Sequence, residues 1–470
     1  MFGRLVRKEL LHHLLDFRFV VVFALCVLLS ALSMYVGTRS YGQRLKEYDA
    51  ISETNRRAFQ EVSLNKGRLL DLVWVGYRWN RRPEVLSPVV YGLSGTLGQE
   101  VIIKHQQPLE FEASAFETDP IQALFDVLDL AFIVKVVLSL AVLLFTYDAV
   151  CGEKEGGTLR LYASFPVPRS RLALAKLAGS TAAVLMPFCI AFLLICLGIA
   201  LSPAMSLKGE DWGRLAALMG MFALYLTVFA GFGLCVSAMT HRRMTAFLGL
   251  LSLWTLWIFV VPNLALDAAT RLIPVRSFYD GQKRAVEAGW KTRTGAVEEI
   301  LSYSRRNPIG QGGLSETQQK VRQDAFKEID ARWNAEYRSS LGEIQKERRN
   351  ELHRHQRLAE LLSAISPLGA VSYASADLAR TGLTQQERVD EALNAYLIHL
   401  SQYVQEKSPG FAGFTLEGPP LSDFVWFTYQ DTDSLSECLS RNVFHILNLT
   451  LLAIFGFAGA YVAILRYDVR

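Results

Sequence analysis

The chain has 470 residues, of which 51% are hydrophobic and 20% charged, and its mean hydropathy is +0.21. Disordered chains are poorer in apolar residues and richer in charge, and ordinary soluble enzymes have a negative mean hydropathy, so both classes are excluded. The net charge of +4 is too small for the basic surface that binds nucleic acid. The composition therefore indicates a membrane protein that also carries sizeable polar segments.

Residues 1–18 are basic and precede the first apolar run. They predict a cytoplasmic amphipathic helix on the membrane surface. The leucines form one face and the charged residues largely another: Leu5, Leu10, Leu11, Leu14 and Leu15, against Arg4, Arg7, Lys8 and Glu9. A cleaved signal peptide is the alternative, but the apolar run is long for one, and its removal would leave an odd number of spans.

Apolar runs then predict the membrane spans, each of which needs about 20 mostly apolar residues. Six stretches qualify, at residues 19–36, 128–147, 177–201, 215–239, 245–264 and 443–465. Basic residues cluster before the first span, between the second and third, between the fourth and fifth, and after the sixth. Because such loops stay in the cytoplasm, both termini are predicted inside.

Two long segments, residues 37–127 and 265–442, are therefore predicted outside. The first combines a charged, proline-free stretch at 39–64 with an aromatic run at 72–79, which predicts a mixed α/β domain. In the second, mainly helical domain, a capping box at Ser315–Gln318 opens a helix of about 70 Å, or a hairpin broken at Gly342. The predicted fold class is a mainly α polytopic membrane protein with six transmembrane helices and two extracytoplasmic domains.

A second capping box is predicted at Thr384–Glu387. The helix that follows it has one apolar face, formed by Val389, Leu393, Leu397, Leu400 and Val404. Residues 408–421 are predicted to form a loop before the aromatic stretch that leads into the sixth span.

Two ionisable residues interrupt the predicted second span, with Asp129 near its outer end and Lys135 deeper inside. Charges within a span are costly and often functional. Asp129 is poorly placed along the helix to pair with Lys135, so Asp267 at the outer end of the fifth span is a candidate partner. Structural pairing, or extension of Lys135 toward the headgroups, is favoured over substrate binding.

Patterns for catalysis, metals and disulfides are missing from the sequence. No GxxxxGK[ST] phosphate loop occurs, and no HExxH, EF-hand or zinc-type cysteine spacing is found. The cysteines lie in or beside apolar runs, where cysteine behaves as a small hydrophobe. We therefore expect no enzyme activity, no metal and no cofactor in this chain.

The predicted cytoplasmic loop at residues 148–176 carries the most informative pattern. It contains an acidic and glycine-rich stretch and then a proline–arginine element: Glu153, Glu155, Gly157, Thr158 and Leu159, followed by Pro166 and Arg169. This order resembles the E-x-E-x-G-T-L and P-x-x-R elements of ABC transporter permeases of the type-2 export class. Lys176 then enters the third span, with Ala175 in place of the usual glycine.

The outer segments also resemble one subgroup of that class, in the runs at 86–95 and 365–384. This subgroup has two large extracytoplasmic domains and is associated with multicopper-enzyme maturation. No methionine-rich or cysteine-rich copper track is present, so copper transport is not inferred. The resemblance implies a prokaryotic inner-membrane location, ABC ATPase subunits that carry ATP and Mg²⁺, and a second permease half, either identical or homologous.

A short helix between two spans can act as a rigid peg, and residues 158–165 are the best candidate for such an ATPase-coupling helix. Glu153 and Glu155 are expected to meet basic residues of the ATPase or of the N-terminal helix. The alternative is a solvated loop that only obeys the charge rule. For the function, an exporter permease is predicted, and a mechanotransmission or scaffold subunit that passes no substrate is the alternative.

Overall fold

The computed structural model describes residues 2–95, 99–104, 110–112, 128–158, 168–308, 315–407 and 420–466. The chain begins with helix α1 (Phe2–Leu14) and then α2 (Phe17–Phe59), which a π-helical turn extends through Gln60–Leu64. Asp16 separates the two helices because its side chain accepts a hydrogen bond from the backbone N–H of Arg18 at 3.0 Å, which caps α2. The first span continues as a helix well beyond its apolar run, as predicted.

Short elements follow: α3 (Leu69–Trp74) and strands β1 (Tyr77–Asn80), β2 (Glu100–Ile103) and β3 (Glu110–Glu112). The strands form one antiparallel sheet in the order β1-β2-β3, with Tyr77 opposite Ile103 and Val101 opposite Phe111. The aromatic run at 72–79 was predicted to belong to a mixed α/β element, and it is divided between the end of helix α3 and strand β1, which begins at Tyr77.

The remaining helices are mostly long. They are α4 (Leu130–Phe132), α5 (Ser139–Thr146), α6 (Cys151–Glu155), α7 (Arg169–Leu201), α8 (Gly209–Met239), α9 (Arg243–Thr255), α10 (Val261–Leu272), α11 (Phe278–Arg306), α12 (Glu316–Ser363), α13 (Pro367–Leu378), α14 (Leu383–Lys407), α15 (Leu435–Arg441) and α16 (Val443–Leu465). π-helical turns join α4 to α5 at Ile133–Leu138 and α9 to α10 at Leu256–Val260.

Within the described residues, six helical stretches are long and apolar enough to cross a membrane. We number them spans 1 to 6: Phe17–Leu64, Leu130–Glu155, Ser170–Leu201, Gly209–Met239, Arg243–Leu272 and Val443–Leu465. The predicted number of spans is confirmed. Spans 1 to 5 extend beyond the apolar runs from which they were predicted, because charged residues continue the helix outside the apolar core, whereas span 6 has the predicted bounds.

Spans 4 and 6 pack closely through small residues. A Cβ atom on Gly456 would lie 2.8 Å from the carbonyl carbon of Gly231, and one on Gly459 would lie 2.6 Å from Cys235 Sγ. Only glycine therefore permits this backbone approach. The sequence left open whether these small residues meet within the chain or across a dimer, and the structure places this contact within the chain.

The two long segments between spans share one hydrophobic core. Buried side chains of the first segment, including Phe59 and Leu72, pack in one cluster with Val389 and Leu393 of α14. Of the predicted apolar face of α14, Val389, Leu393, Leu400 and Val404 are fully buried. The helix begins at Leu383, so Thr384 lies inside it rather than capping it. The two segments that were predicted as separate outer domains thus pack against each other through this shared core.

Helix α12 is one unbroken helix through Gly342, so the hairpin alternative at that residue is wrong. The predicted capping box between Ser315 and Gln318 is present at its start. Helix α12 runs antiparallel to α11. Arg276, just before α11, pairs with Glu347 at 3.0 Å, and Tyr303, near the end of α11, packs against Phe326 with ring centroids 5.8 Å apart. The long hairpin is therefore formed between α11 and α12.

Helix α13 returns from this hairpin into the helix bundle. Its small and apolar residues are buried, among them Gly369, Ala370 and Ala374. Just before it, the Ser366 hydroxyl donates a hydrogen bond to the carbonyl of Trp257 in span 5 at 2.5 Å. The long segment between spans 5 and 6 is therefore anchored directly in the bundle.

Candidate functional site

Helix α1 packs against α7, the third span, at one end of the bundle. The residues that face α7 include Glu9 and His13, which are both buried, whereas Leu11 and Leu15 are 42% and 83% exposed. A Cβ atom on Gly179 would lie 2.6 Å from Glu9 Cβ, so glycine is needed for this approach. The sequence placed Glu9 on the polar face; this was wrong, because a buried cation on α7 holds it inside.

That cation is Lys176, whose side chain is only 2% exposed. Its Nζ lies 2.7 Å from Glu153 Oε1 and 3.4 Å from both carboxylate oxygens of Glu9, and it donates to the carbonyl of Ala149 at 3.2 Å. We call Glu9, Lys176 and Glu153 the Lys176 joint. It connects α1, α6 and α7 through one buried ammonium group, and two carboxylates share that charge.

Burial and charge shift the pKa values of the groups on α1. Burial raises the pKa of Glu9, but the charges of Lys176 and Lys8 outweigh it and hold the pKa below its usual value. Burial lowers the pKa of His13, whose Nε2 lies 3.1 Å from Ser180 Oγ. The packed form of α1 therefore favours an ionised Glu9 and a neutral His13.

Helix α6 is the centre of this end of the bundle. The hydroxyl of Ser237, in span 4, accepts hydrogen bonds from the backbone N–H groups of Val150 and Cys151, each at 3.1 Å. Lys154 donates to the carbonyls of Ala238 and Thr240, at the end of the same span. This part of the loop is therefore packed against span 4, unlike the solvated loop of the alternative interpretation.

Glu155 connects α6 to span 5. Its Oε2 accepts a hydrogen bond from the backbone N–H of Arg243 at 3.0 Å, and the Arg243 guanidinium donates to the carbonyl of Gly152 at 3.4 Å. On the opposite side, Arg18 of span 1 forms an ion pair with Asp148 at 3.0 Å. The short segment 148–155 thus contacts spans 1, 3, 4 and 5, and Lys176 links it to the N-terminal helix.

The residues just after α6 are exposed. Gly156, Gly157 and Thr158 all lie at the surface, and Gly157 has a φ of +72°, which glycine adopts without strain. The Thr158 hydroxyl donates to the carbonyl of Glu153 at 3.4 Å. We call Gly156–Thr158 the exposed lip. It follows the partly buried helix α6 and is itself exposed.

The other predicted coupling residues are placed less fully. Leu159 and Pro166 lie outside the described residues, as does the predicted coupling helix beyond Thr158. Arg169 is the first residue of α7, which Pro168 precedes. Four of the predicted residues lie together in α6 and just after it: Glu153, Glu155, Gly157 and Thr158. Of these, only Glu153 belongs to the Lys176 joint.

The predicted intramembrane charges have structural partners. Asp129 caps span 2 by accepting from the backbone N–H of Phe132 at 2.6 Å and also accepts from that of Tyr91 at 2.8 Å. Lys135 Nζ lies 3.5 Å from the hydroxyl of Ser372 on α13. Asp267 instead pairs with Arg271, one turn along its own helix, at 2.9 Å, so the predicted contact between Asp267 and Lys135 is not formed.

A second charged region lies at the other end of the bundle, and the sequence did not predict it. It brings together seven residues, which we call the distal charge cluster: Arg214, Asp377, Arg380, Arg388, Asp431, Asp433 and Arg441. Arg214, in span 4, is completely buried. An arginine at the edge of an apolar run was the available signal; Glu210 is its partner one turn away, whereas Leu378 and Asp433 are more than a hundred residues away.

Asp433 is the centre of that cluster. Its carboxylate lies 2.8 Å from both the Arg388 and Arg441 guanidinium groups, and its carbonyl accepts from Arg214 at 2.6 Å. Burial raises the pKa of Asp433, but the hydrogen bond and charge of Arg441, with the other arginines, lower it to about 2. The cluster joins α8, α13, α14 and α15.

Comparison with known proteins agrees with this architecture. Residues 4–432 match the family described as ABC-2 family transporter protein. The probable ABC transporter permease protein NosY of Stutzerimonas stutzeri is 31% identical over 135 residues, which make up 28% of this chain and 48% of that relative. The chain thus spans about half the length of this curated relative. Because the family match covers most of a chain with six membrane-spanning helices, the protein belongs to the ABC-2 family of transporter proteins as a multi-pass membrane permease.

Proposed function

We propose that the chain is the membrane subunit of an ATP-driven exporter, coupled to a separate ABC ATPase that binds ATP and Mg²⁺. A second permease half, identical or homologous, completes the membrane part. The ATPase contacts the exposed lip and α1, and its closure moves the spans that converge on α6. The single observation that carries this proposal is the buried Lys176 ammonium, which joins the N-terminal helix to α6 and α7.

A force applied to the lip would reach several spans at once. Glu155 and Arg243 connect α6 to span 5, Lys154 connects it to the end of span 4, and Lys176 connects it to span 3. A solvated loop would instead absorb the motion by bending. A fixed, buried short helix therefore supports the coupling role better than a loop that only carries positive charge.

The proposed orientation places this end of the bundle in the cytoplasm of a prokaryotic cell, at its inner membrane. The basic residues that flank the spans support it, since many gather at the end that carries α1: Arg4, Arg7, Lys8, Arg18, Lys154, Arg171, Lys176, Arg242 and Arg243. Cytoplasmic loops are enriched in such residues. The long segments between spans 1 and 2 and between spans 5 and 6 then lie outside.

A mechanotransmission subunit is the second candidate, and the distal charge cluster favours it. Arg214 ties span 4 to Asp433, and Arg388 ties the same aspartate to α14. Movement of span 4 would thus be passed to the outer segments without a substrate crossing the membrane. In this second candidate function the exposed lip still contacts the ATPase, but the motion acts on the outer segments instead of moving a substrate. The multicopper-maturation subgroup remains a prediction from resemblance.

The coupling proposal is tested with the variants Glu155→Ala and Thr158→Ala, in the chain expressed together with its ATPase. We expect both to reduce co-purification of the ATPase and ATP turnover, while the melting temperature of the permease changes little. Glu53→Ala and Thr54→Ala are matched controls, because these residues are exposed on α2 toward the other end of span 1. Normal co-purification and turnover in both Glu155→Ala and Thr158→Ala would refute the assignment.

A transport readout separates the two candidate functions. In sealed vesicles, an exporter transfers a solute only when ATP is hydrolysed, and locking the outer segments leaves that transfer partly intact. With a mechanotransmission subunit, the partner ATPase instead hydrolyses ATP with no solute transfer, while the outer segments change conformation.

A further inference from the structure

A small recess lies where the first span leaves the bundle, at the end distant from α1. It has a volume of about 30 Å³ and lies between α2, the segment around Pro83 and Thr381. Three arginines contribute to its wall, namely Arg44, Arg81 and Arg82. One buried water requires about 10–15 Å³ by the same measure, so the recess has room for a larger polar group.

The positive charge of this recess is only partly balanced. Arg44 donates to two neutral oxygens, the carbonyl of Ser40 and the hydroxyl of Ser87, both at 3.5 Å, and stacks on the ring of Tyr91 at 5.1 Å. Arg82 is exposed. In the part of the chain that the structure describes, neither guanidinium has a carboxylate within 4.0 Å. The charges of Arg44 and Arg82 are therefore available to an anion, unlike that of an arginine engaged in an ion pair.

The third arginine is held by the outer segments. Arg81 donates to the side-chain carbonyl of Gln386 at 2.9 Å, and its other nitrogen lies 3.9 Å from Glu84 Oε1. Burial raises the pKa of Glu84 to about 7, so this carboxyl group is only partly ionised at neutral pH. Glu84 therefore balances at most one of three guanidinium charges.

The recess lies just above the end of the apolar spans. Pro88 packs against Gly37, where an added Cβ would lie 2.9 Å from Pro88 Cβ, and Tyr91 bonds to the cap of span 2 at Asp129. Arg44 is about 10 Å further along α2 than Gly37, at 1.5 Å per residue. Polar headgroup layers extend several ångströms beyond the hydrocarbon core. The recess is thus open to phospholipid headgroups and to dissolved anions.

We propose that this recess binds a phosphate group, supplied either by a phospholipid headgroup or by a free phosphate. Arginine forms planar, charge-assisted hydrogen bonds to phosphate oxygens, and guanidinium groups from several directions suit a tetrahedral oxyanion. Thr381, which lines one wall of the recess, belongs to the second outer segment, and Arg44 belongs to the helix of the first span. A bound phosphate would therefore connect these parts of the chain at the membrane surface.

The test uses the full chain purified in detergent, with inorganic phosphate titrated by calorimetry. In a second arm, native mass spectrometry measures retention of phosphatidylglycerol against a diacylglycerol that lacks phosphate. We expect saturable binding of at least one phosphate probe. Arg82→Gln should weaken it about 10- to 100-fold, since hydrogen bonds to charged groups are worth about 1.5–3 kcal/mol.

Because Arg82 is exposed, its replacement should leave folding intact, and Arg44→Gln provides a second variant. Arg39→Gln is the matched control, an exposed arginine on the same helix outside the recess. Binding of phosphatidylglycerol alone identifies a lipid ligand, and binding of inorganic phosphate identifies a free one. The proposal is overturned if neither probe binds, or if Arg82→Gln and Arg39→Gln bind as well as the unmodified chain.

Discussion

The Lys176 joint and the distal charge cluster both bury ions, but they do so in different ways. In the joint, one ammonium group is shared by Glu9 and Glu153. In the cluster, Asp433 is contacted by Arg214, Arg388 and Arg441. The joint therefore depends on one side chain, whereas the cluster has several cations that can replace one another.

This difference teaches how the two ends of the bundle can serve one motion. The joint lies beside the exposed lip, where a partner can bind, and it fixes α6 against α1 and α7. In the cluster, the charges of the seven residues pair largely with one another. One end is built to receive a partner, and the other to keep four helices together. The predictions below test this contrast.

Replacing the central cation of the joint should have the largest effect. Lys176→Met removes the buried cation that the carboxylates of Glu9 and Glu153 share. Removing one partner of a buried ion pair costs about 3–5 kcal/mol. We expect a lower midpoint in chemical unfolding and faster proteolysis of α1. The control is Arg4→Met, because Arg4 is exposed on α1 and surface changes cost about 0.5 kcal/mol or less. Equal stability of the two variants would contradict the joint.

Replacing one cation of the cluster should have a smaller effect. In Arg214→Met, Asp433 keeps Arg388 and Arg441, both at 2.8 Å. We therefore expect a loss of about 1–3 kcal/mol, as for a buried hydrogen-bond acceptor left without its donor. Unfolding of both variants under the same conditions gives the comparison. A loss larger than that of Lys176→Met would show that the cluster is not redundant.

Acidification from pH 7 to 5 should change the stability of the two ends of the bundle differently. The folded pKa of His13 lies below 6.5, so protonation favours release of α1, and stability is lost as pH falls below 6.5. Burial raises the pKa of Asp390, on α14, from 3.8 to about 6. Stability from that neutral carboxyl is present at low pH and is lost as pH rises through 6. Asp433, at about 2, stays ionised throughout.

Hydrogen exchange, corrected for its intrinsic pH dependence, is the measurement. We expect α1 to exchange faster at pH 5 and α14 to exchange no faster. His13→Asn should abolish the response of α1, since it removes the titrating group and keeps a polar side chain. Faster exchange of α14 together with an unchanged α1 would reverse the assignment.

The spans were predictable because apolar length alone determines them. The start of α12 was predictable from Ser315 and Gln318, which satisfy the first N–H groups of a helix locally. The burial of Glu9 was not predictable, since the helical pattern placed this residue with the exposed charges. Its partner is 167 positions away at Lys176. Likewise, Arg214 has its main acceptor at Asp433, and no local pattern connects the two.

The central claim is that α1, α6 and α7 move as one body when the ATPase acts on the lip. Cysteines introduced by His13→Cys and Ser180→Cys, whose native side chains lie 3.1 Å apart, can be joined by a short bis-thiosulfonate cross-linker. In the complex purified with its ATPase, we predict that cross-linking leaves ATP turnover unchanged. Turnover that is lost on cross-linking and restored by a reductant would contradict the claim, because α1 would then have to separate from α7 in each cycle.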